Sequence, residues 1–419
     1  MPEITITEKT LARPSQLNTN TASLELPAIA WRGLFKDYRD MVANTTEAAD
    51  AFHYATFLQV FGCTIGRRLF AYHATRLFPN FFNCLVGRSG LTRKDTTWSR
   101  GRSVLDMLHA YSEDDLSPPF KTVMGIRSYE GLLDELAGGR KVRLIQLGEL
   151  LSLLSKAKQN SLGNIIPALN ELYDSPDLLN PPVHQKDVKP AKEPFLSIMA
   201  GTTQDWLQKA LTEKDIYGGF ANRWCYFYGL PKDPMPNPPK IDNGKRNEIV
   251  HQLNQLRDWT ESVPNGEVTI SDEANAVFEQ YYCEYYRRCQ LPGLIPTLIV
   301  RIQDFIWKIA LLYAADTMSE VISADHLEAA IAVGKYLEAS VTEVFARFEV
   351  SGGKAKENKL LDFLRAEGGP VPEREAYRRL SMSAKELENL IIPLVKIGLV
   401  KNSYVKTEKG RRVKTYEVV

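Results

Sequence analysis

The stretch from residue 81 to residue 97 restricts the fold of this chain more than any other. An apolar run, Phe81–Val86, is followed by a turn with Gly87 and Gly90 and by a polar segment that begins at Arg93. This order predicts a buried strand, a tight turn and a helix start. Backbone N–H groups of such a turn and of the helix N-terminus can bind an anion together, and a lysine there adds a positive charge. The stretch therefore predicts a phosphate-binding loop.

The stretch fits the phosphate-loop pattern G-x-x-x-x-G-K-[ST] loosely when it is aligned on Lys94. Gly87 falls one residue early, Arg93 occupies the position of the second glycine, and Asp95 occupies the position of the hydroxyl residue. Thr96, one residue later, could take over the role of the hydroxyl that faces magnesium. An ordinary strand-to-helix turn with surface Arg and Lys side chains stays an alternative.

The composition is that of a globular protein with enough residues for two or three domains. The chain has 419 residues, of which 44% are hydrophobic and 25% are charged, as is usual for soluble proteins. We see no apolar run of transmembrane length and no charged-then-apolar leader, so we expect a cytoplasmic protein without membrane contact. The five cysteines are scattered and never spaced as C-x-x-C. This predicts a reducing compartment and neither a zinc site nor a disulfide framework.

Strands and helices alternate through the first part of the chain. Apolar runs at Val142–Leu147 and Phe195–Ala200 predict strands, and Ile165–Tyr173 predicts a helix between them. Such alternation predicts an α/β fold, in which helices cover both faces of a mostly parallel sheet. After a proline-rich crossing at 231–239 the pattern becomes helical.

The chain divides into five segments on these patterns. We expect, in order, a flexible arm, N-terminal helices that continue to Phe78, the sheet core, a helical lid and a basic tail domain. Their limits are residues 1–25, 26–78, 79–230, 240–350 and 354–419.

The basic tail shows a pattern of three helices followed by two strands. From Lys354 onward, 15 Lys and Arg residues stand against 9 Asp and Glu residues, which favours a polyanionic partner. Three helices and a basic hairpin predict a winged helix, whose third helix can enter a major groove. The hairpin residues expected near DNA phosphates are Lys409, Arg411, Arg412 and Lys414. A protein-protein module stays an alternative for this domain.

Polar residues follow two of the predicted strands, as a nucleotide-hydrolysing site requires. Glu149 follows Val142–Leu147, although Gly148 stands where an aspartate would be expected. Thr202 and Thr203 follow the strand that begins at residue 195, at the edge where ligands bind in such sheets.

A second informative string runs from Gly218 to Trp224. Its two glycines free the backbone, and Arg223 comes directly before an apolar strand. An arginine at a subunit edge can stabilise the transition-state charge on a neighbour's phosphate. A structural salt bridge is the alternative for this side chain.

Jointly, these strings resemble the primase/helicase-type ATPases of phages and other mobile elements. The strings are Val86-Gly87-x-Ser89-Gly90-x-x-Arg93-Lys94-x-Thr96, Gly148-Glu149, Ser197-Ile198-x-x-Gly201-x-Thr203 and Gly219-Phe220-Ala221-Asn222-Arg223. In that family an Arg-Lys pair followed by a small residue and Thr is the usual loop variant, so Arg93 fits it, whereas Asp95 is bulkier than usual. The helical block also resembles the lid of AAA+ replicative helicases similar to minichromosome-maintenance proteins, in which Arg301 would be a sensor arginine.

The resemblance covers roughly Phe52 to Arg347 and implies an α/β P-loop NTPase core (RecA/AAA+-like) with a helical lid and a C-terminal winged helix. It implies ATP and Mg²⁺ as cofactors, DNA as a partner and a homo-oligomer, of which a hexameric ring is one form. A separate primase or replisome protein is a further expected partner. The implied nucleotide-binding residues are Gly87, Ser89, Gly90, Arg93, Lys94, Asp95, Thr96 and Arg301, with Thr96 also on the metal. The implied catalytic residues are Glu149, Arg223 and Thr203.

The expected function is that of an ATP-dependent DNA helicase or translocase in the replication of a phage or mobile element. Asp95 and Gly148 favour an alternative from another class, a DNA-binding replication initiator or adaptor with a vestigial nucleotide site. A third interpretation is an ATP-dependent switch in phage defence or plasmid maintenance.

Overall fold

The computed structural model describes residues 24–110, 121–126, 128–137, 142–157, 165–181, 189–291, 293–346, 348, 353–396, 398–406 and 412–418. Most of the predicted flexible arm, residues 1–23, lies outside this part. The helices are α1 Gly33–Val42, α2 Asp50–Ile65, α3 Lys94–Ala110, α4 Tyr129–Ala137, α5 Leu150–Ala157, α6 Ile165–Tyr173, α7 Gln204–Ala210, α8 Glu213–Tyr217, α9 Asn243–Trp259, α10 Asp272–Cys289, α11 Leu294–Ile299, α12 Ile302–Asp316, α13 Ala324–Phe345, α14 Gly353–Glu367, α15 Glu373–Arg379 and α16 Ala384–Lys396. The strands are β1 Phe70–His73, β2 Thr75–Leu77, β3 Phe82–Val86, β4 Lys121–Met124, β5 Val142–Leu147, β6 Leu178–Leu179, β7 Ala191–Lys192, β8 Phe195–Thr202, β9 Trp224–Tyr228, β10 Glu267–Ile270, β11 Val321–Ile322, β12 Val371–Pro372, β13 Val400–Lys406 and β14 Arg412–Val418.

The main sheet has five strands in the order β4-β5-β8-β3-β9. All neighbouring pairs are parallel, and Phe82 of β3 lies opposite both Ile198 of β8 and Trp224 of β9. Every residue of β3 and β8 is buried, as expected for a parallel sheet with both faces covered. The prediction of an α/β fold with a parallel sheet is confirmed.

Helices from distant parts of the chain fix the sheet by buried polar contacts. The Asn83 side chain in β3 donates from Nδ2 to Ala55 O and to Gln59 Oε1 of α2, each at 3.0 Å. On the edge strand β9, the Tyr228 N–H donates to Ser340 Oγ of α13 at 2.8 Å. One continuous hydrophobic core runs from Leu26 to Phe345, so the N-terminal helices, the sheet and the lid helices share it.

A second, small sheet corrects the prediction that helices continue to Phe78. Residues 70–77 form the hairpin β1–β2, and β1 adds parallel to β10, with Phe70 opposite Glu267. With β11 the order is β11-β10-β1-β2. The partner strand lies almost two hundred residues away in sequence, and such a pairing leaves no signal in the local apolar spacing.

The tail has its own hydrophobic core and a three-stranded antiparallel sheet in the order β12-β14-β13. Its three helices and its hairpin occur in the predicted order. The second helix, which the apolar spacing predicts over Val371–Leu380, begins at Glu373 instead, because Val371 and Pro372 pair with Tyr416 and Thr415 as β12. Among all the described helices, none combines the length and the apolar composition that crossing a bilayer requires.

Candidate functional site

The predicted phosphate loop lies at the carboxyl edge of the main sheet, between β3 and α3. The Gly87 N–H donates to Thr202 O at the end of β8, at 3.2 Å. The Gly229 N–H, just after β9, donates to Val86 O at 3.1 Å. The loop is therefore held between the ends of both strands that flank β3.

Two glycines of the loop serve different purposes. A Cβ at Gly87 would lie 2.7 Å from Thr92 Oγ1 and 3.0 Å from Gly229 O, so a side chain there would collide with both neighbours. Gly90 has a φ of +72°, and a Cβ there would meet no atom within 4 Å. Glycine is therefore favoured at this position by the backbone conformation and not by a lack of space. Ser89 and Gly90 are both exposed at the tip of the loop.

Arg93 explains the loose fit to the general pattern. Its φ is +52°, so the position where the pattern has glycine does adopt the left-handed conformation here. For a residue with a side chain this costs about 1–2 kcal/mol. The Arg93 side chain is tied down, because its Nε donates to Glu47 Oε2 at 2.8 Å. The Met235 N–H donates to the same carboxylate, and the two hydrogen bonds lower the pKa of Glu47.

Lys94 begins α3 and reaches across the ends of three strands. Its Nζ donates to Gly87 O at 2.8 Å. A Cβ at Gly201 would lie 3.6 Å from both Cδ and Cε of Lys94 and 3.2 Å from Gly148 O, so the lysine stem passes directly over this glycine. Burial lowers the pKa of Lys94, and the nearby Glu149 opposes that shift.

Glu149 follows β5, and β8 lies between β5 and β3. Its Oε1 is buried and has no hydrogen-bond partner in the described part of the chain. A carboxylate oxygen left free beside Lys94 suits a water molecule or a cation. The structure thus brings together Lys94 and Glu149, as the sequence predicts.

The residues after Lys94 differ in what their side chains do. Asp95 is exposed, and the Thr97 hydroxyl donates to Arg93 O at 3.0 Å. Thr96 is half-buried in the first turn of α3. No cluster of three or more metal-ligating His, Cys, Asp or Glu side chains occurs among the described residues. Mg²⁺ in nucleotide sites needs few protein ligands besides phosphate and water, so the oxygen chemistry of Thr96 and of Glu149 is suitable for it.

Thr202 and Thr203 lie at the end of β8, which is two residues longer than predicted. Thr202 is buried within the strand. Thr203 is the N-cap of α7, where its Oγ1 accepts a hydrogen bond from the Trp206 N–H at 3.3 Å. A threonine hydroxyl that accepts one hydrogen bond can still donate another.

Arg223 and Arg301 lie together at the opposite edge of the sheet. Arg223 directly precedes β9, whose first residue pairs with Phe82, the first residue of β3. Arg223 therefore lies near the beginning of β3, whereas the predicted phosphate loop follows its end. The two are about 13 Å apart along the strand direction. Arg223 and Arg301 share one carboxylate, Asp174, at 3.4 and 3.5 Å. Within one chain, Arg301 and Lys94 therefore lie at opposite ends of the strands.

A cavity of about 790 Å³ opens beside this pair of arginines. Its charged lining residues are Arg76, Asp174, Arg223, Arg301, Asp304 and Lys308. Lys308 is only 2% exposed, and its Nζ donates to Asn80 Oδ1 at 2.9 Å and to Asn80 O at 3.0 Å. Burial lowers the pKa of Lys308 to about 8, against the opposing charge of Asp304.

Sequence patterns alone did not indicate Lys308, Asp174 and Glu47 as site residues. Lys308 had a local signal, since it is a lysine inside the otherwise apolar stretch Phe305–Tyr313 of α12. Asp174 and Glu47 had none, because their partners are far away in sequence.

A second cavity, of about 610 Å³, adjoins the phosphate loop on the side of β9. It lies between the segment around Ala49 and the segment Tyr228–Met235, and Trp31 and Leu230 contribute apolar surface. Glu47 links both segments to the loop, because it binds Arg93 and accepts from the Met235 N–H.

In the tail, two of the four predicted DNA contacts are described. Arg412 is exposed at the start of β14. Lys414 Nζ lies 3.8 Å from Glu373 Oε1 and 5.4 Å from the ring centroid of Tyr416, so it is partly engaged within the tail. Lys409 and Arg411 lie outside the described residues.

Comparison with known proteins gives limited likenesses. No protein-family model matches the sequence, and no curated protein matches it. Among solved structures, the chain is similar to a full-length MCM homolog from Methanopyrus kandleri, with a TM-score of 0.40 and 13% identity, over 74% of this chain and 59% of that chain. It is also similar to the Aeropyrum pernix ORC1 protein in complex with DNA, with a TM-score of 0.26 and 15% identity, over 92% of this chain and 93% of that chain. This chain thus spans 59% of the length of the MCM homolog.

Proposed function

We propose that this protein is a P-loop ATPase that acts on DNA. The observation that carries the proposal is the convergence of Lys94, Glu149 and Thr203 at the ends of three adjacent parallel strands. Lys94 already bends over Gly201 toward the phosphate loop, and Glu149 keeps a buried oxygen free beside it. A parallel sheet places ligands at this edge.

In this proposal each side chain of the site has a separate role in binding or hydrolysing ATP. The backbone N–H groups of the loop and Lys94 bind the β- and γ-phosphates, as a loop at a helix N-terminus can. Glu149 orients the attacking water, and the Thr203 hydroxyl donates to the γ-phosphate. Thr96 and Glu149 would hold Mg²⁺, which supplies positive charge to the phosphate oxygens when bound.

The cavity beside the loop is a suitable place for the nucleotide base. It adjoins the loop through Gly229, whose N–H donates to Val86 O, and it offers apolar surface with a few polar groups. Such a composition suits a flat, partly polar ring. Glu47 would then couple base binding to the conformation of Arg93.

Arg223 and Arg301 act in this proposal on the nucleotide of a second copy. Both lie on the edge opposite Lys94, so they cannot complete the site of their own subunit. A head-to-tail contact between copies would bring one edge to the other, and a closed ring such as a hexamer satisfies every subunit.

The tail is proposed to be a winged helix that binds DNA. Its order of helix, strand, two helices and hairpin suits this role. Its hairpin carries the exposed Arg412 toward solvent.

The proposed role is that of a replicative helicase or translocase of a phage or mobile element. The replication initiator or adaptor with a vestigial site is the second candidate, because Asp95 and Gly148 replace residues that help to hold magnesium. It predicts DNA binding without turnover. An ATP-dependent switch would hydrolyse ATP without unwinding a tailed duplex.

ATP hydrolysis with and without single-stranded DNA tests the proposal. We expect DNA-stimulated turnover in the wild type, and its loss in Lys94→Ala. Lys335→Ala, which removes an exposed lysine from α13, is the matched control and should retain full activity. Unchanged turnover in Lys94→Ala would refute the site, whereas absence of turnover in the wild type with DNA binding retained would favour the adaptor.

Mixing two inactive variants tests the contact between subunits. Arg223→Ala should lose hydrolysis and regain part of it when Lys94→Ala subunits are added, because each variant supplies what the other lacks. No recovery over a range of mixing ratios would contradict a shared site.

A further inference from the structure

Three positive charges meet around a single aromatic ring at the amino edge of the sheet. The ring centroid of Tyr173 lies 5.7 Å from Arg223 Cζ, 5.6 Å from Arg301 Cζ and 4.1 Å from Lys308 Nζ. The ring face attracts each cation, but the cations repel one another. After burial, the charge of Arg301 is the largest cause that lowers the pKa of Arg223.

Two carboxylates oppose these charges, and they are held very differently. Asp304 is 17% exposed and lies 3.3 Å from Arg301, with the buried Lys308 near it. Asp174 is 53% exposed and gives one oxygen to each arginine, at 3.4 and 3.5 Å. Both distances exceed the usual range of a charge-assisted hydrogen bond. Asp174 is therefore a loosely bound and replaceable partner.

Arg223 does not depend on Asp174 for its position. Its Nη1 donates to Gly219 O at 2.7 Å, and its side chain is 12% exposed. Its Nε is buried without a hydrogen-bond partner in the described part of the chain. Arg223 would thus stay in place, with unused hydrogen-bonding capacity, if the carboxylate moved away.

We propose that Arg223 and Arg301 form one clamp for a phosphate group, and that Asp174 occupies this clamp until a phosphate displaces it. A carboxylate and a phosphate present similar pairs of oxygens to guanidinium groups. The neighbouring cavity of about 790 Å³ has space for a phosphate and for the released carboxylate.

The phosphate can come from two sources: a free phosphate compound, or the nucleotide bound to a second copy of this chain. The second source rests on the proposed function. In either case Asp174 balances the charge of the two arginines at rest and competes with the ligand.

Competition predicts an effect opposite to that of a structural salt bridge. Asp174→Asn keeps the shape and a hydrogen-bond acceptor but removes the competing charge. Because the Asp174 carboxylate would lie close to the bound phosphate, removing its negative charge should strengthen binding of the phosphate anion by about tenfold. A merely structural role predicts weaker binding or none.

Pyrophosphate binding, measured by calorimetry in a Lys94→Ala background, isolates the clamp from the phosphate loop. We expect the dissociation constant to fall about tenfold on adding Asp174→Asn. Asp258→Asn, which removes a 74% exposed carboxylate outside the cavity, is the matched control and should leave it unchanged. Arg223→Ala should weaken binding at least tenfold. The inference is overturned if Asp174→Asn leaves the dissociation constant for pyrophosphate unchanged, as the control does, or raises it.

A second arm identifies the source of the phosphate. Lys94→Ala/Asp174→Asn subunits are mixed with Arg223→Ala subunits and a non-hydrolysable ATP analogue, and association is followed by sedimentation. Association that requires the analogue, and is stronger with Asp174→Asn than without it, supports a nucleotide on a second copy. Pyrophosphate binding without association supports a free phosphate compound. Because neither arm needs turnover, an absence of ATP hydrolysis in the wild type would refute the proposed function and leave the clamp standing.

Discussion

Replacing the buried Lys308 by methionine should change how the stability of this protein depends on pH. The lysine is 2% exposed and lies between Asn80 and the ring of Tyr173. Methionine has a similar length and no charge, so it keeps much of the packing. Lys308→Met loses the hydrogen bonds to Asn80 at every pH. This loss lowers the free energy of unfolding by the same amount throughout and does not change its pH dependence.

The magnitude follows from the pKa of Lys308, which burial lowers from 10.5 to about 8. Below pH 8 the lysine is protonated in both the folded and the unfolded state, and the full penalty for burying the charge is present. Above pH 10.5 it is neutral in both states and the penalty is gone. At 1.36 kcal/mol per pKa unit, the difference corresponds to about 3 kcal/mol.

The wild type should therefore gain about 3 kcal/mol of unfolding free energy, relative to Lys308→Met, as pH rises from 8 to 10.5. Urea unfolding followed by tryptophan fluorescence measures this, because Trp307 and Trp224 are buried in the same core. Lys335→Met, which removes an exposed lysine, is the control and should follow the wild type. Parallel curves for the wild type and Lys308→Met, or a wild-type curve that falls relative to the variant, would refute the reasoning.

Three further predictions concern the proposed nucleotide site, the arginines and the tail. A Cβ at Gly148 would meet no atom of a non-adjacent residue within 4 Å, so Gly148→Asp can add a carboxylate there, and the Mg²⁺ concentration for half-maximal hydrolysis should fall about tenfold. Gly219→Ala places a Cβ 2.8 Å from Arg223 Nη1 at a φ of +82°, so it should cost about 1–2 kcal/mol of stability and reduce turnover while ATP binding remains. Arg412→Ala should lower the salt dependence of DNA binding by about one in log–log slope, and Lys414→Ala by less, because Lys414 is partly paired with Glu373.

Each of these predictions has its own control. Gly148→Asn has the same shape without the charge and should leave the Mg²⁺ requirement unchanged; an equal effect of both variants would rule out a metal role. For Gly219→Ala, equal losses of ATP binding and turnover would indicate general unfolding rather than displacement of Arg223. Equal slopes for Arg412→Ala and the wild type would contradict the proposal that the hairpin binds DNA.

Local sequence patterns were sufficient for several strands and helices of the sheet core. The limits of β5 and α6 agree with the predicted Val142–Leu147 and Ile165–Tyr173, because the apolar run and the helical spacing within each segment decide its conformation. The turn between β3 and α3 was also predictable, because glycines between an apolar strand and a polar helix start form a local signal. The conformation of Arg93 was not, since a positive φ in a residue with a side chain depends on the contact with Glu47.

The sequence by itself thus determined the parallel sheet, the position of the loop and the helices and hairpin of the tail. Only the tertiary structure decided that residues 70–77 are strands, because their partner β10 lies far along the chain. It also decided that Arg223 and Arg301 share Asp174 at the edge opposite Lys94. Secondary structure depends largely on residues within one or two turns, whereas a charge cluster depends on which distant segments the folded core brings together.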